Sequence, residues 1–183
     1  MRSITRRLAR LVPVVLAGLT AASFSSTASA SGCAGAGTSP AELGAPAVRT
    51  TTLCLLNAKR RANSLRPLRH ATKLIRAARR HSRDMVAHSY FAHDSRSGAN
   101  FTARIARTGW MDGRDRWVVG ENLAWGGGSQ STPRKIVASW MASPGHRANI
   151  LKPRFHVIGI GVENGVPVAN GGAGATYTTD FGS

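Results

Sequence analysis

Between Ala71 and Val86 the small or apolar residues Ala71, Leu74, Ile75, Ala78, Ser82, Met85 and Val86 recur at three- and four-residue spacing. Lys73, Arg76, Arg80 and Arg83 fill the opposite side. This is the period of an α-helix with one dry face and one wet one, and it predicts a helix from Thr72 to about His88 with Thr72 as its cap. Such a helix cannot bury its stripe alone, so the chain must fold in layers that cover it. The 183 residues suffice for one domain with a real core but not for two.

The remaining pattern supplies the other layers. A helix is predicted over Thr52–Asn63, with Leu53 and Leu56 inward and Pro67 beyond its end, and a short one over Phe101–Thr108. Trp117–Trp125 is apolar and β-branched at its start, which reads as a strand closed by Gly126-Gly-Gly128. Thr132-Pro133 opens a further helix with proline at its first position, and Ile136, Val137 and Trp140 face inward. His156–Asn164 and Ala173–Phe181 read as strands across a glycine-rich turn. Helices come first and short strands late, which favours an α+β domain with antiparallel pairing.

The ends and the charge narrow the setting. Four arginines, the apolar run Leu11–Leu19 and Ala28-Ser29-Ala30 make residues 1–30 a Sec-type signal peptide, so the protein is expected to be secreted. No run approaches the roughly 20 apolar residues of a spanning helix. Residues 31–50, rich in Gly, Ala, Ser and Pro, read as a flexible arm. Without the leader the formal net charge falls from +17 to +13, a surface that attracts anionic polymers or lipids. The arginines are scattered with no interleaved aromatic strip, which argues against specific nucleic-acid recognition. Cys33 and Cys54 are the two cysteines, and an even count in an exported chain favours a disulfide. That bond would close a loop of about 20 residues and contribute about 3 kcal/mol. Lipidation of Cys33 is the minor alternative, since Ala30-Ser-Gly-Cys33 lacks the large apolar residue of such a site.

Three dispersed residues are the candidates for chemistry. His93 follows the aromatics Tyr90 and Phe91, which can anchor it in a loop. Glu121 is an isolated acid in an apolar strand, where burial without a cation or donors would be costly. His146 restarts a helical pattern after Pro144-Gly145. Together they could hold a zinc-like divalent cation through two neutral imidazoles, or run acid–base chemistry with Glu121 as base. Each taken singly also fits a hydrogen-bonded structural group. His81 reads as a core histidine, His88 with Asp84 as a remote metal alternative, and His70 and His156 as exposed groups. Ser95 is only a nominal nucleophile. The sequence contains no H-E-x-x-H, G-x-S-x-G or phosphate-binding loop. Trp110, Trp117, Trp125 and Trp140 fit core packing better than a groove lining.

An ordered set of motifs resembles a known family. Leu55-Leu-Asn-Ala-Lys-Arg60, Leu65-Arg-Pro-Leu68, Ala78-x-x-His-Ser-x-Asp-Met85 and Tyr90-Phe-Ala-His93 come first. Gly120-Glu-Asn-Leu-Ala124, Trp140-Met-x-Ser-Pro-Gly-His-Arg-x-Asn-Ile-Leu151, Ile158-Gly-Ile-Gly161 and Tyr177-Thr-x-Asp-Phe-Gly182 come after. Residues 51–183 are similar to a bacterial SCP-like domain of the CAP superfamily, which groups cysteine-rich secretory, antigen 5 and pathogenesis-related proteins. The resemblance implies an α–β–α sandwich with a central, largely antiparallel sheet. It also implies a cleft with two histidines and two acids that in some members binds a divalent cation such as zinc. By motif position His93 and His146 match the histidines and Glu121 the first acid. The second acid's place is taken by Ser143, which weakens a metal site. The single Cys33–Cys54 bond fits the bacterial pattern.

The function this reading favours is a cleft-bearing binding module for a cell-envelope, lipid or protein ligand. An extracellular hydrolase using Glu121 with His93 and His146 stays open, as does a structural wall-associated protein. The sequence does not set the oligomeric state.

Overall fold

The computed structural model describes residues 32–183, so the leader expected over residues 1–30 lies outside the described residues. In chain order the elements are α1 (Pro40–Leu43), α2 (Ala45–Arg61), β1 (Arg69–His70), α3 (Thr72–Ala87), α4 (Phe101–Ala106) and β2 (Val119–Gly127). A 3-10 turn over Gly128–Ser131, then α5 (Pro133–Ala142), α6 (Pro144–Ile150), β3 (Val157–Asn164) and β4 (Gly174–Gly182) complete the chain.

The strands form one sheet in the order β1-β3-β4-β2. The β3–β4 and β2–β4 pairs are antiparallel, and only the two-residue β1 runs parallel to β3. That edge pair escapes sequence reading because both its residues are polar and exposed.

Two faces of the sheet meet two helical layers. On β3 the residues alternate, with Ile158, Ile160 and Val162 joining Leu55, Leu56, Ile136, Trp140, Tyr177 and Phe181 in the larger core. The intervening Gly159 and Gly161 face α3. A Cβ on Gly159 would lie 2.1 Å from the carbonyl carbon of Leu74, and one on Gly161 would lie 2.2 Å from that of Ala78. The backbone of α3 therefore lies directly on the bare backbone of β3. A smaller core of Leu74, Ala77, Ile105 and Trp110 closes this side. The layers are α2 with α5, then the sheet, then α3 with α4, which is the α–β–α sandwich that the family resemblance implies.

Local details differ from the sequence reading for identifiable reasons. The residue capping α3 is Ala71 in an extended conformation with no side-chain bond, so Thr72 is the first helical residue rather than a cap. Helix α2 starts at Ala45, seven residues earlier than expected, because Gly44 breaks the chain and Pro46 fits the first turn. Of the segment read as a flexible arm, residues 32–50 carry α1 and the start of α2, and Cys33, Ala36 and Val48 are buried. The Cys33–Cys54 disulfide, with Cα atoms 5.8 Å apart, ties that segment to α2. Ala34 and Ala36 accept hydrogen bonds from the Thr51 hydroxyl and the Arg134 amide. Local composition carries no trace of these long-range ties. With its sulfur in the disulfide, Cys33 has no thiol left for lipid attachment.

The close contact of α3 with β3 predicts an asymmetry between glycines. Gly161→Ala should lower the urea-unfolding free energy by about 3 kcal/mol, because backbone rather than a flexible side chain meets the new methyl. Gly145→Ala, with nothing within 4 Å, should leave it unchanged or slightly raised.

Candidate functional site

The site is built around the edge strand β2. Glu121 and Asn122 are consecutive there and so point to opposite faces. Glu121 lies on the α3–α4 side. Asn122 points to the other side, where its amide donates to the His146 carbonyl at 3.0 Å and its carbonyl accepts from Asn149 at 2.9 Å. Asn149 shares its amide with the Glu121 carbonyl at 3.1 Å. These bonds lock α6 against β2 and fix the histidine it carries. Ser143 ends α5 and begins α6 in one extended residue, and its side chain makes no cap bond.

The Glu121 side chain is wholly buried, and both oxygens are taken. Oε1 accepts from His93 Nδ1 at 2.8 Å, and Oε2 accepts from Arg104 Nη2 at 2.5 Å. Arg104 also donates through Nη1 to the carbonyls of His93 at 2.6 Å and Ala99 at 3.0 Å, and to Ser95 Oγ at 3.3 Å. One guanidinium thus pins both the buried carboxylate and the loop that carries His93. Bonding through Nδ1 leaves Nε2 as the free nitrogen of His93, whose side chain is half exposed.

A second acid lies beneath the first. Asp180 on β4 is the register partner of Glu121 and also of Gly159, so it sits in mid-sheet under α3. It is 1 % exposed, and its Oδ1 has no hydrogen-bond partner among the described residues. Burial, then the neighbouring Glu121 charge, raises its pKa well above the ordinary carboxyl range and so favours its protonated form. Of the two carboxyls, only Glu121 is paired with the Arg104 guanidinium.

The histidines are pushed apart. The hydrogen bond to Glu121, the largest influence, raises the pKa of His93. Burial, and then the charge of His93, lowers that of His146, so the two imidazoles sense each other. These opposite shifts favour the protonated form of His93 and the neutral form of His146.

His93, Glu121 and His146 converge on β2, yet not as a three-donor set. Among the described residues no group of three or more His, Cys, Asp or Glu is arranged to hold a metal ion. Glu121 is spent on His93 and Arg104, and two imidazoles fall short of the three protein ligands of a catalytic zinc. A resident metal held by all three does not fit this arrangement. The other histidines keep ordinary roles: His81 is buried with Nε2 on the Ala92 carbonyl at 2.9 Å, and His88 pairs with Asp84 at 2.9 Å. Of the aromatics before His93, Tyr90 bonds Asp84 through its hydroxyl, but Phe91 is exposed and anchors nothing. Trp110 and Trp140 pack in the cores, whereas Trp117 and Trp125 are exposed.

Arg104 and Asp180 are the site residues that sequence reasoning missed. Arg104 is one of many arginines, and its only local signal is the Asn100 cap that places it on α4. Asp180 stands in a motif of a buried strand, where an isolated acid is the same signal that marked Glu121.

Known proteins share this frame. A model of the cysteine-rich secretory protein family matches residues 53–175. The Bacillus subtilis protein YkwD, described as uncharacterized, is 41% identical over 113 residues, which is 61% of this chain and 41% of that protein. An extracellular protein of Bacillus anthracis containing an SCP domain superposes with a TM-score of 0.58 and 26% identity. That match covers 76% of this chain and 43% of the other. The chain thus spans about two fifths of the length of both. An outer surface protein of Borrelia burgdorferi, with a TM-score of 0.53, 17% identity and coverage of 70% and 86%, shares the fold.

Two outcomes check the electrostatics. In an NMR pH titration His93 should titrate above 6.5 and His146 below it, and Glu121→Gln should bring His93 down. Above the ordinary carboxyl pKa the unfolded chain ionises Asp180 and the folded protein does not, so this group costs stability as pH rises toward its raised folded value. Asp180→Asn should therefore melt higher than wild type at pH 7 and lose that advantage near pH 3. An equal offset at both pH values would contradict a buried neutral carboxyl.

Proposed function

The chain belongs to the cysteine-rich secretory protein family, and on that footing we propose that it is an exported binding module. In this reading it holds a cell-envelope, lipid or protein ligand on the surface between His93 and His146. One observation carries the choice of binding over hydrolysis: the acid placed between the histidines is buried with both oxygens occupied. A general base must reach the proton it removes, and Glu121 is sealed from solvent with each oxygen already accepting a hydrogen bond. Its work is to orient His93 and favour its charged form. Export is supported by the leader pattern of residues 1–30 and by the descriptions of the relatives from Bacillus anthracis and Borrelia burgdorferi as extracellular and outer-surface proteins.

The test uses the full chain and isolated envelope fragments at about 0.5 M salt, where diffuse surface attraction is screened. His93→Ala and His146→Ala should each weaken retention about tenfold, roughly 1.4 kcal/mol. Calorimetric titration with zinc alone at pH 7 should give no submicromolar binding. Stoichiometric tight zinc uptake that disappears in His93→Ala would reverse the reading toward a metal site, and unchanged retention in both variants would remove the cleft from the function.

A further inference from the structure

The outer face of α3 carries a second feature that the cleft does not use. Arg76, Arg79, Arg80 and Arg83 are all exposed and occur at the i, i+3, i+4 and i+7 positions of one helical stripe. With Ile75 and Glu163 they line a groove of about 370 Å³. The stripe is roughly 10 Å long from the helical rise, longer than one phosphate and within reach of neighbouring phosphates on a chain.

These charges lack internal partners. Among the described residues Arg104 is the only arginine or lysine within ion-pair distance of an acid, so no α3 arginine is neutralised. The Arg76 guanidinium is held by the Thr108 carbonyl at 2.5 Å, which fixes its aim without cancelling its charge. Arg49 is close enough to Arg79 that, after burial, this positive neighbour lowers its pKa. Like charges are crowded here, and a bound polyanion would relieve them. Arg80 also borders a second pocket of about 250 Å³, whose lining sets Arg107 and the paired Arg104 beside the acid Asp84.

We propose that this arginine groove is a docking site for a base-free phosphodiester polymer of the polyol-phosphate type. Guanidinium forks match phosphate oxygens, and a row of them tracks a repeating anion better than a single one. Among the described residues no aromatic side chain lines the groove, so it offers no platform on which nucleic-acid bases could stack. The apolar face of α3 is consumed by β3, so the groove offers a bilayer only the half-buried Ile75 as a large apolar side chain. The exposed large apolar residues Phe91, Trp117, Trp125 and Val168 all lie off this helix.

The experiment is fluorescence anisotropy with end-labelled synthetic poly(glycerol phosphate) at about 50 mM salt. It compares wild type with Arg79→Gln/Arg80→Gln/Arg83→Gln and with a control triple, Arg61→Gln/Arg66→Gln/Arg154→Gln. All six residues are exposed and both triples remove the same charge. The groove triple should lose at least tenfold in affinity and lower the salt slope by about two units, while the control loses less than threefold. Arg83→Gln alone should lose about threefold, which keeps the test valid if a triple folds poorly. Equal losses in the two triples would reduce the effect to net charge. Stronger binding of single-stranded DNA with the same phosphate number would make this a nucleic-acid surface, and preference for anionic vesicles a membrane one. Absence of polymer binding by wild type would end the proposal. His93→Ala should bind the polymer as wild type does, so the cleft and the groove can fail independently.

Discussion

The approach of α3 to β3 without intervening side chains governs the layout of both surfaces and of the buried acids between them. Gly159 and Gly161 let the helix backbone settle where a methyl group would collide with Leu74 and Ala78. The helix is then so close that the Ser82 hydroxyl reaches both the Gly161 carbonyl and Thr178 Oγ1 across the interface. That register decides which residues of α3 face out, and it is the arginine stripe. It also decides what lies underneath: Asp180, paired in the sheet with Gly159, is sealed from water by the helix above it. One steric allowance thus produces an exposed basic face and a buried acid on either side of a single helix.

The buried acid explains why the site beside it is a positioning device. Two carboxyls in contact inside a protein cannot both be ionised at modest cost, and here the guanidinium pairs with Glu121 alone. Burial favours the protonated form of Asp180, while Glu121 receives both Arg104 and His93. Arg104 spends its remaining donors on the carbonyls of His93 and Ala99, so the loop cannot move without disturbing the ion pair. Nor does Asp180 replace the acid that Ser143 lacks. It sits in mid-sheet, while Ser143 lies at the start of α6, the helix that carries His146.

Much of this is legible from local pattern. The period of α3, the apolar strand around Glu121 and the alternation Ile158-Gly-Ile-Gly161 each depend on residues near one another in sequence, and the layered fold derives from them. What stays hidden depends on pairing at a distance. Asp180 meets Glu121 only because β2 and β4 align in one register out of several. Arg104 differs from its many fellow arginines only through contacts made in three dimensions. The segment before α2 reads as a linker because Gly, Ala and Pro dominate it, yet a disulfide and two backbone acceptors bind it to the core. The metal expectation weakens for a related reason: spacing shows that three donors could meet, but not that the carboxylate turns inward to an arginine.

The two surfaces proposed for binding obey different physics, so they would act in sequence rather than in competition. The arginine stripe acts over a Debye length, about 8 Å at physiological ionic strength, before any oriented contact is made. The His93–His146 pair acts only at hydrogen-bond distance and discriminates by geometry and protonation. A basic groove in contact with an anionic polymer would raise the local concentration of anything attached to that matrix before the cleft engages it. In that arrangement weak contacts at the cleft suffice, since tethering on one face makes the encounter at the other effectively intramolecular. A small domain with a two-histidine cleft and an exposed arginine stripe is consistent with such a division between retention and recognition.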